Sequence, residues 1–258
     1  MNILSNLIAR YGIDIPTKLL DWIPFNNIDW TNLSRNPGAI YLLEKNPDKI
    51  DWRYLSENPA AIHILEKNLE NVEKIYWRNW LSQNPAAIYL IEKNLDKINW
   101  NLLSENPAAI HLLEKNLDKI DWQLLSRNPL AIHLLKKNID KINWNLLSEN
   151  PAAIHLLEKN LDKIDWDYLS INPLAIHLLK KNIDKIDWYY LSRNSAAIHL
   201  LENNLDKINW AWLSRNPSAI NILENNIDRI NWYWLMENPA IFEIDILSYK
   251  RILNKFTY

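Results

Sequence analysis

Asn106-Pro107-Ala108-Ala109-Ile110-His111-Leu112-Leu113-Glu114-Lys115-Asn116-Leu117-Asp118-Lys119-Ile120-Asp121-Trp122-Gln123-Leu124-Leu125-Ser126-Arg127 is one unit of a pattern that fills the chain, and Asn128-Pro129 opens the next. The core phrase Leu-Ser-x-Asn-Pro recurs every 22 residues, from Leu33 to Leu55 and from Leu103 to Leu125. A period between about 20 and 50 residues marks a solenoid or array and decides the architecture before any local reading does. It also bears on function, because a stack of near-identical units builds a long surface more readily than one asymmetric catalytic site.

Each unit reads as a long helix followed by a short one. Asn106 caps, and Pro107 takes the first helical position, where its missing N–H costs nothing. Strong helix formers run from Ala108 to Lys115, with Ala109, Ile110 and Leu113 on one face. Asn116 stands where a left-handed C-terminal residue is wanted. The residue before each repeat tryptophan is Asp29, Asp51, Asn99, Asp121, Asn143, Asp165, Asp187, Asn209 or Asn231. Free exchange of Asp with Asn is what an N-cap demands, and it starts the short helix from Trp122 to about Ser126. Tyr76 departs from this slot, where the unit is longer (Leu55 to Leu81), and a bulge or kink is expected there.

Two helices this short cannot bury their own apolar faces. Trp122, Leu125, Ile110, Leu113, Leu117 and Ile120 are therefore expected to pack on neighbouring units, about ten of which should form a curved rod on the order of 90 Å long. Residues 1–29 read as an N-terminal cap, 30–240 as the α-solenoid array, and 241–258 as a C-terminal capping helix. The fold class expected is all-α.

The phrases Asn-Pro-Ala-Ile-His-Leu-Leu-Glu-x-Asn-Leu-Asp-Lys-Ile-Asp-Trp, a Leu-Leu-Asp-Trp-Ile-Pro lead-in and a closing Asn-Pro-x-Ile-Phe-Glu-Ile-Asp resemble the 22-residue tandem-repeat proteins of giant double-stranded DNA viruses. The resemblance covers nearly the whole chain. It implies a viral protein of an infected protist and carries over no catalytic residues. The rival architecture is a leucine-rich repeat, since Leu113-x-x-Asn116-Leu117-x-x-Ile120 echoes its core. Against it, the Asn stands one residue too close to the next Leu, and the Asn-Pro-Ala-Ala-Ile-His segment would have to abandon its helical chemistry.

Composition narrows the classes further. The chain has 14 Trp, only two Gly, no Cys and a net charge of −2. Ample apolar content argues against disorder, and scarce glycine argues against a strand-rich fold. Lack of cysteine excludes disulfides and thiolate metal sites. No run approaches the roughly 18 apolar residues of a membrane span, and the start lacks a signal peptide's basic and apolar regions. The expectation is a soluble intracellular protein, in host cytoplasm if viral, with no membrane partner.

No enzyme, cofactor or metal site is expected. Ser, His and carboxylates occur in every unit, as scaffold residues do, and there is no Gly-rich phosphate loop or His-Glu-x-x-His. Ser126 is explained by local backbone bonding. His63, His111, His133, His155, His177 and His199 recur one unit apart, too far to share a metal whose ligands stand about 2 Å away. They are either planar side chains bonded to the next unit or an exposed ladder for a long partner. Nucleic acid is disfavoured because Lys115 and Lys119 are offset by Glu114 and Asp118, leaving no basic stripe.

Residues 107–150 and 151–194 align without gaps and differ at seven places: Gln123/Asp167, Leu124/Tyr168, Arg127/Ile171, Asn143/Asp187, Asn145/Tyr189, Leu146/Tyr190 and Glu149/Arg193. All seven fall in the short helix and its cap. Drift on an exposed edge explains this; so does diversification toward a partner. Aromatics collect there at Tyr168, Tyr189, Tyr190, Trp212, Tyr233 and Trp234, residue types that anchor interfaces. The reading is a protein-binding scaffold or adaptor with an unidentified protein partner docking along these residues. Self-association through the ends or flank is the competing class, and His111, His133, His155, His177 and His199 form the rival surface.

Overall fold

In the computed structural model, which describes residues 16–68 and 80–254, the unit quoted above has four parts. A 3-10 turn, Pro107–Ala109, leads into the α-helix Ile110–Lys115; a second 3-10 turn, Leu117–Lys119, leads into the short helix Trp122–Leu125. Both expected caps form, with Asn106 Oδ1 accepting from the Ala108 N–H and Asp121 Oδ1 from the Leu124 N–H. Ala109, Leu113 and Leu125 are fully buried, as are their equivalents in the other units. Helix where the leucine-rich alternative needs strand excludes that alternative. The chain is an all-α repeat solenoid.

Two local expectations are corrected. Asn116 is not left-handed: its φ is −136° and its ψ 55°, and its Nδ2 instead donates to the Leu112 carbonyl at 2.8 Å, closing the helix end by side chain. Leu117 is 51% exposed and packs on no neighbour's core, because the 3-10 turn carries it outward. The repeat tryptophans pack half-buried against the core as expected, and from Trp100 to Trp210 they leave a face for the following unit's cation: Lys119 Nζ lies 4.4 Å from the Trp100 ring, Lys141 4.3 Å from Trp122 and Lys163 4.6 Å from Trp144. Each such cation–π contact is worth about 0.5–1 kcal/mol at an exposed site.

The capping asparagines do more than cap. Asn128 Nδ2 donates to the Ser104 carbonyl at 3.0 Å and the Asn106 carbonyl at 3.1 Å, which flank the opening of the preceding unit. Asn58, Asn84, Asn106, Asn150, Asn172, Asn194 and Asn238 repeat that pair of bonds. A carboxylate has no donor to offer, so this slot never exchanges with Asp although the cap before tryptophan does. Ser126 likewise bonds beyond its own helix. Its Oγ donates to the Trp122 carbonyl and accepts from the Asn143 backbone N–H, both at 3.0 Å.

Asn36, which has no preceding unit in the sequence, finds one in space. Its Nδ2 donates to the Met236 carbonyl at 2.7 Å and the Asn238 carbonyl at 2.9 Å, the two equivalent positions of the last unit. Arg35 meets Glu237 at 3.0 Å, and Trp22 covers Trp232 with ring centres 6.5 Å apart, taking the place of the usual lysine. Strand β1 (Thr17–Leu19) pairs antiparallel with β2 (Phe242–Ile244), with Thr17 opposite Ile244 and Leu19 opposite Phe242. The solenoid is a closed ring, not the elongated rod expected. Stacking distance is legible in a repeat; the small rotation per unit, here about 36°, is what closes it.

Gly38 marks the closure. It fills a slot held elsewhere by Ala60, Ala108 or Leu130, and a Cβ there would lie 3.0 Å from both the Phe242 ring and the Pro239 carbonyl oxygen. Residues 69–79, including the bulge expected near Asn71–Tyr76, lie outside the described residues. Asn84 nonetheless reaches the Ser56 and Asn58 carbonyls, so the ladder is continuous past them.

Candidate binding surface

In a closed ring, the elements of neighbouring units that approach most closely must lie on the inner circumference. Those are the short helices. Their interior positions, such as Leu125 and Ser126, face the core, which leaves the stripe of residues 123, 124 and 127 and their equivalents on the inner face. The helices bearing the histidines and the Leu117-type turns form the outer rim. All seven differences between the 44-residue halves therefore belong to the inner helices, and the outer rim is identical in both.

The six aromatics singled out from the sequence form one continuous cluster on this inner face. Tyr168 stacks on Tyr190 with centres 5.8 Å apart and planes at 22°; Trp212 stacks on Trp234 at 6.1 Å and 14°. Tyr189 bridges the pairs edge-on, 5.3 Å from Tyr190 and 5.6 Å from Trp212, and Tyr233 stands against Trp234 at 4.9 Å. Tyr189 is 47% exposed and Tyr233 46%, while the other four are half-buried against one another. Burial, with Tyr168 and Asp187 beside it, raises the Tyr190 hydroxyl above its ordinary pKa.

Ring closure extends this arc to residues the sequence placed at the far end. Tyr54 and Trp80 occupy the same slot as Trp212 and Trp234, with ring centres 6.0 Å apart, and follow Trp234 around the ring with only Asn32 between. Asn32 is buried, and its Nδ2 has no hydrogen-bond partner. A signal existed in the shared slot, but it needed the closure to be read.

A second column runs beside the aromatic one. Arg127 pairs with Glu105 and Glu149, each at 3.2 Å; Arg35 hydrogen-bonds Glu57 at 3.1 Å and Glu237 at 3.0 Å; Arg215 pairs with Glu237. Burial pushes the Glu57 and Glu105 carboxyls up, against the pull of Arg35 and Arg127. It pushes the Arg215 guanidinium down, with Arg193 adding to the effect. Arg193 itself is exposed and lies 5.3 Å over the Trp212 ring.

The histidines stand on the outer rim and are each bonded to a glutamate. Four reach back one unit: His63 to Glu44 at 2.9 Å, His111 to Glu92 at 2.7 Å, His133 to Glu114 at 2.8 Å and His177 to Glu158 at 2.9 Å. His155 and His199 cannot, because Lys136 and Lys180 hold the glutamate's place in the unit before. They turn to Glu158 and Glu202 of their own helices and are 89% and 94% exposed. Hydrogen bonds from His177 and His155 hold the Glu158 carboxyl below its usual range. No group of three or more metal-binding side chains occurs among the described residues, and none of their helices is long and apolar enough to cross a membrane. No protein-family model, curated protein or solved structure matches the chain.

Proposed function

We propose that this chain is a non-enzymatic binding ring whose inner aromatic arc holds a linear segment of a partner protein. The observation that carries the reading is the fusion of Tyr168, Tyr189, Tyr190, Trp212, Tyr233 and Trp234 into one cluster on the face where the duplicated halves diverge. The size of the ring supports a linear occupant. Steps of about 6 Å between neighbouring rings, taken over ten units, place opposite rings roughly 19 Å apart. Subtracting the rings' own radii leaves a bore on the order of 10 Å, comparable to a single helix and far below a folded domain.

The test is selection of random linear peptides, displayed on phage, against the purified full chain. Enriched peptides should lose binding to a Tyr189→Ala/Tyr233→Ala chain whose melting temperature is unchanged, since both side chains are half in solvent. Binding that ignores the double change but is lost when His133, His155 and His177 are replaced by Ala would move the site to those histidines.

Self-association is the second reading. The observation favouring it is now the outer rim, where Leu117, Ile139, Leu161 and Ile183 stand half-exposed once per unit; the ends are engaged with each other. A concentration-dependent mass in analytical ultracentrifugation, abolished by Ile139→Lys, would support it.

A further inference from the structure

We infer that Arg193 is an anion-recognition residue, and that the segment held by the inner face carries a carboxylate set among apolar side chains. This rests on the peptide-binding reading above and adds the ligand's charge to it. In the charged column, each of the other arginines has a carboxylate in a neighbouring unit: Arg35 has Glu57 and Glu237, Arg127 has Glu105 and Glu149, and Arg215 has Glu237. The neighbours of Arg193 in that column are Ile171 and Arg215. It has no acidic partner among the described residues.

The internal duplication ties the two features together. In the first 44-residue half the two slots are Arg127 and Glu149, an ion pair at 3.2 Å; in the second they are Ile171 and Arg193. The half that lacks this pair is the half that has Tyr168, Tyr189 and Tyr190 where the other has Leu124, Asn145 and Leu146. The rings and the guanidinium without a carboxylate partner thus occur on the same half. Arg193 lies 5.3 Å over Trp212, and the Arg215 beside it is half-buried, so an added negative charge would relieve two like charges at once.

The same geometry favours a peptide over a single-stranded nucleic acid. Base recognition needs free aromatic faces, and a phosphate backbone needs several unpaired cations. Here the faces of Tyr168, Tyr190, Trp212 and Trp234 are turned on one another at 22° and 14°, leaving mainly ring edges to the bore. Those edges carry the positive end of the ring quadrupole and suit carbonyl and carboxylate oxygens. One unpaired arginine matches one acidic group.

The experiment takes the peptides enriched on the full chain, labels them with fluorescein and measures anisotropy, with labelled oligouridine as the nucleic-acid probe. The enriched peptides should share an Asp or Glu, or end on a bound C-terminal carboxylate. Replacing that acid by its amide should weaken binding about tenfold or more, as loss of a charged hydrogen bond does. Arg193→Gln should give the same loss, with no further loss on the amide peptide, and Arg193→Lys should retain part of the affinity. Peptides that need Tyr189 and Tyr233 but show no acidic preference, and bind Arg193→Gln within about twofold, would overturn the anion role while leaving the peptide-binding ring in place. Enrichment independent of the two tyrosines, or oligouridine binding with no peptide enriched, would overturn both.

Discussion

Replacing Asn128 by Asp tests the hydrogen-bond ladder that holds the ring. Asn128 has no solvent exposure, and three groups depend on its side chain: the Leu130 N–H on Oδ1, and the Ser104 and Asn106 carbonyls on Nδ2. Asn106 O keeps a second bond from the Ala109 N–H at 3.1 Å. Truncation to Ala therefore orphans the buried Ser104 carbonyl, at about 1–3 kcal/mol, and removes the part-buried cap on the Leu130 N–H, so roughly 2–4 kcal/mol is expected instead of the ~1 kcal/mol of a lost cap alone. Asp keeps the cap but sets a buried carboxylate against two carbonyl oxygens, which at neutral pH should cost more than Ala does. Its folded pKa must then rise above the unfolded ~3.9, so the folded state binds the extra proton and stability falls as pH rises from about 4. The control is Asn143→Asp. That side chain only accepts, from the Asn145 and Leu146 N–H groups, and Asp fills the slot at Asp121, Asp165 and Asp187, so a change within about 0.5 kcal/mol is expected. Urea unfolding followed by circular dichroism at acid and neutral pH measures both. Equal tolerance of Asp at positions 128 and 143 would refute the ladder.

The other expectations concern the seam and the charged column. Gly38→Ala should destabilise by about 1–3 kcal/mol through crowding of Phe242 and Pro239, seen as a lower melting temperature that Phe242→Leu partly restores. In a chain with no cysteine of its own, Lys18→Cys with Glu243→Cys, which face each other in the β1–β2 register, should oxidise to an intramolecular disulfide; a rod would give none. Asn32→Leu should stabilise by about 1–2 kcal/mol in thermal melts, because it removes an unpaired buried amide from a column that takes Leu102, Leu124 and Leu146 elsewhere. Burial raises the Glu105 carboxyl above 4.5, so the folded state holds that proton more tightly than the unfolded chain does. The resulting stability is present in full below pH 4.5 and is lost as pH rises through the elevated value, and Glu105→Gln should flatten that part of the pH–stability curve.

Element type and order were legible because each unit states its own boundaries. Asn-Pro opens one helix, Asp-Trp or Asn-Trp opens the other, and neither depends on anything distant. Half of the inter-unit chemistry was legible too. One capping slot exchanges Asp with Asn and the other never does, a difference that separates a side chain that only accepts from one that must also donate. Curvature was not legible, because it accumulates from small rotations that no single residue encodes. Its traces lie at the seam: Met236 for the otherwise invariant repeat serine, Phe242 for the otherwise invariant helix-opening isoleucine, and Gly38 in a slot that elsewhere takes Ala, Leu or Ser. Tyr54 and Trp80 were missed for the same reason, since a rod puts them far from Trp234. Arg193 stood among the seven differences, but its missing partner shows only once neighbouring units are known to face each other across 22 residues.

Closure and binding are linked for any ligand that touches both sides of the seam. Trp234 belongs to the last unit and Tyr54 to the second, so opening the ring splits the arc between them, while Tyr168, Tyr189, Tyr190 and Trp212 stay together on one side. A ligand bound only to the second group should not sense the seam. One that spans Trp234 and Tyr54 binds the closed form alone, and its apparent affinity falls by the fraction of molecules that are closed. Gly38→Ala lowers that fraction without touching the inner face. The enriched peptides should therefore divide by footprint. Those weakened by Tyr54→Ala should also be weakened by Gly38→Ala and, at equal concentration, should raise that variant's melting temperature by less than they raise the parent's. Those indifferent to Tyr54→Ala should bind both chains equally. A peptide that needs Tyr54 and Trp234 yet binds the Gly38→Ala chain at full strength, with the seam shown open by failure of the Lys18→Cys/Glu243→Cys disulfide to form, would break the link between the ring and its ligand.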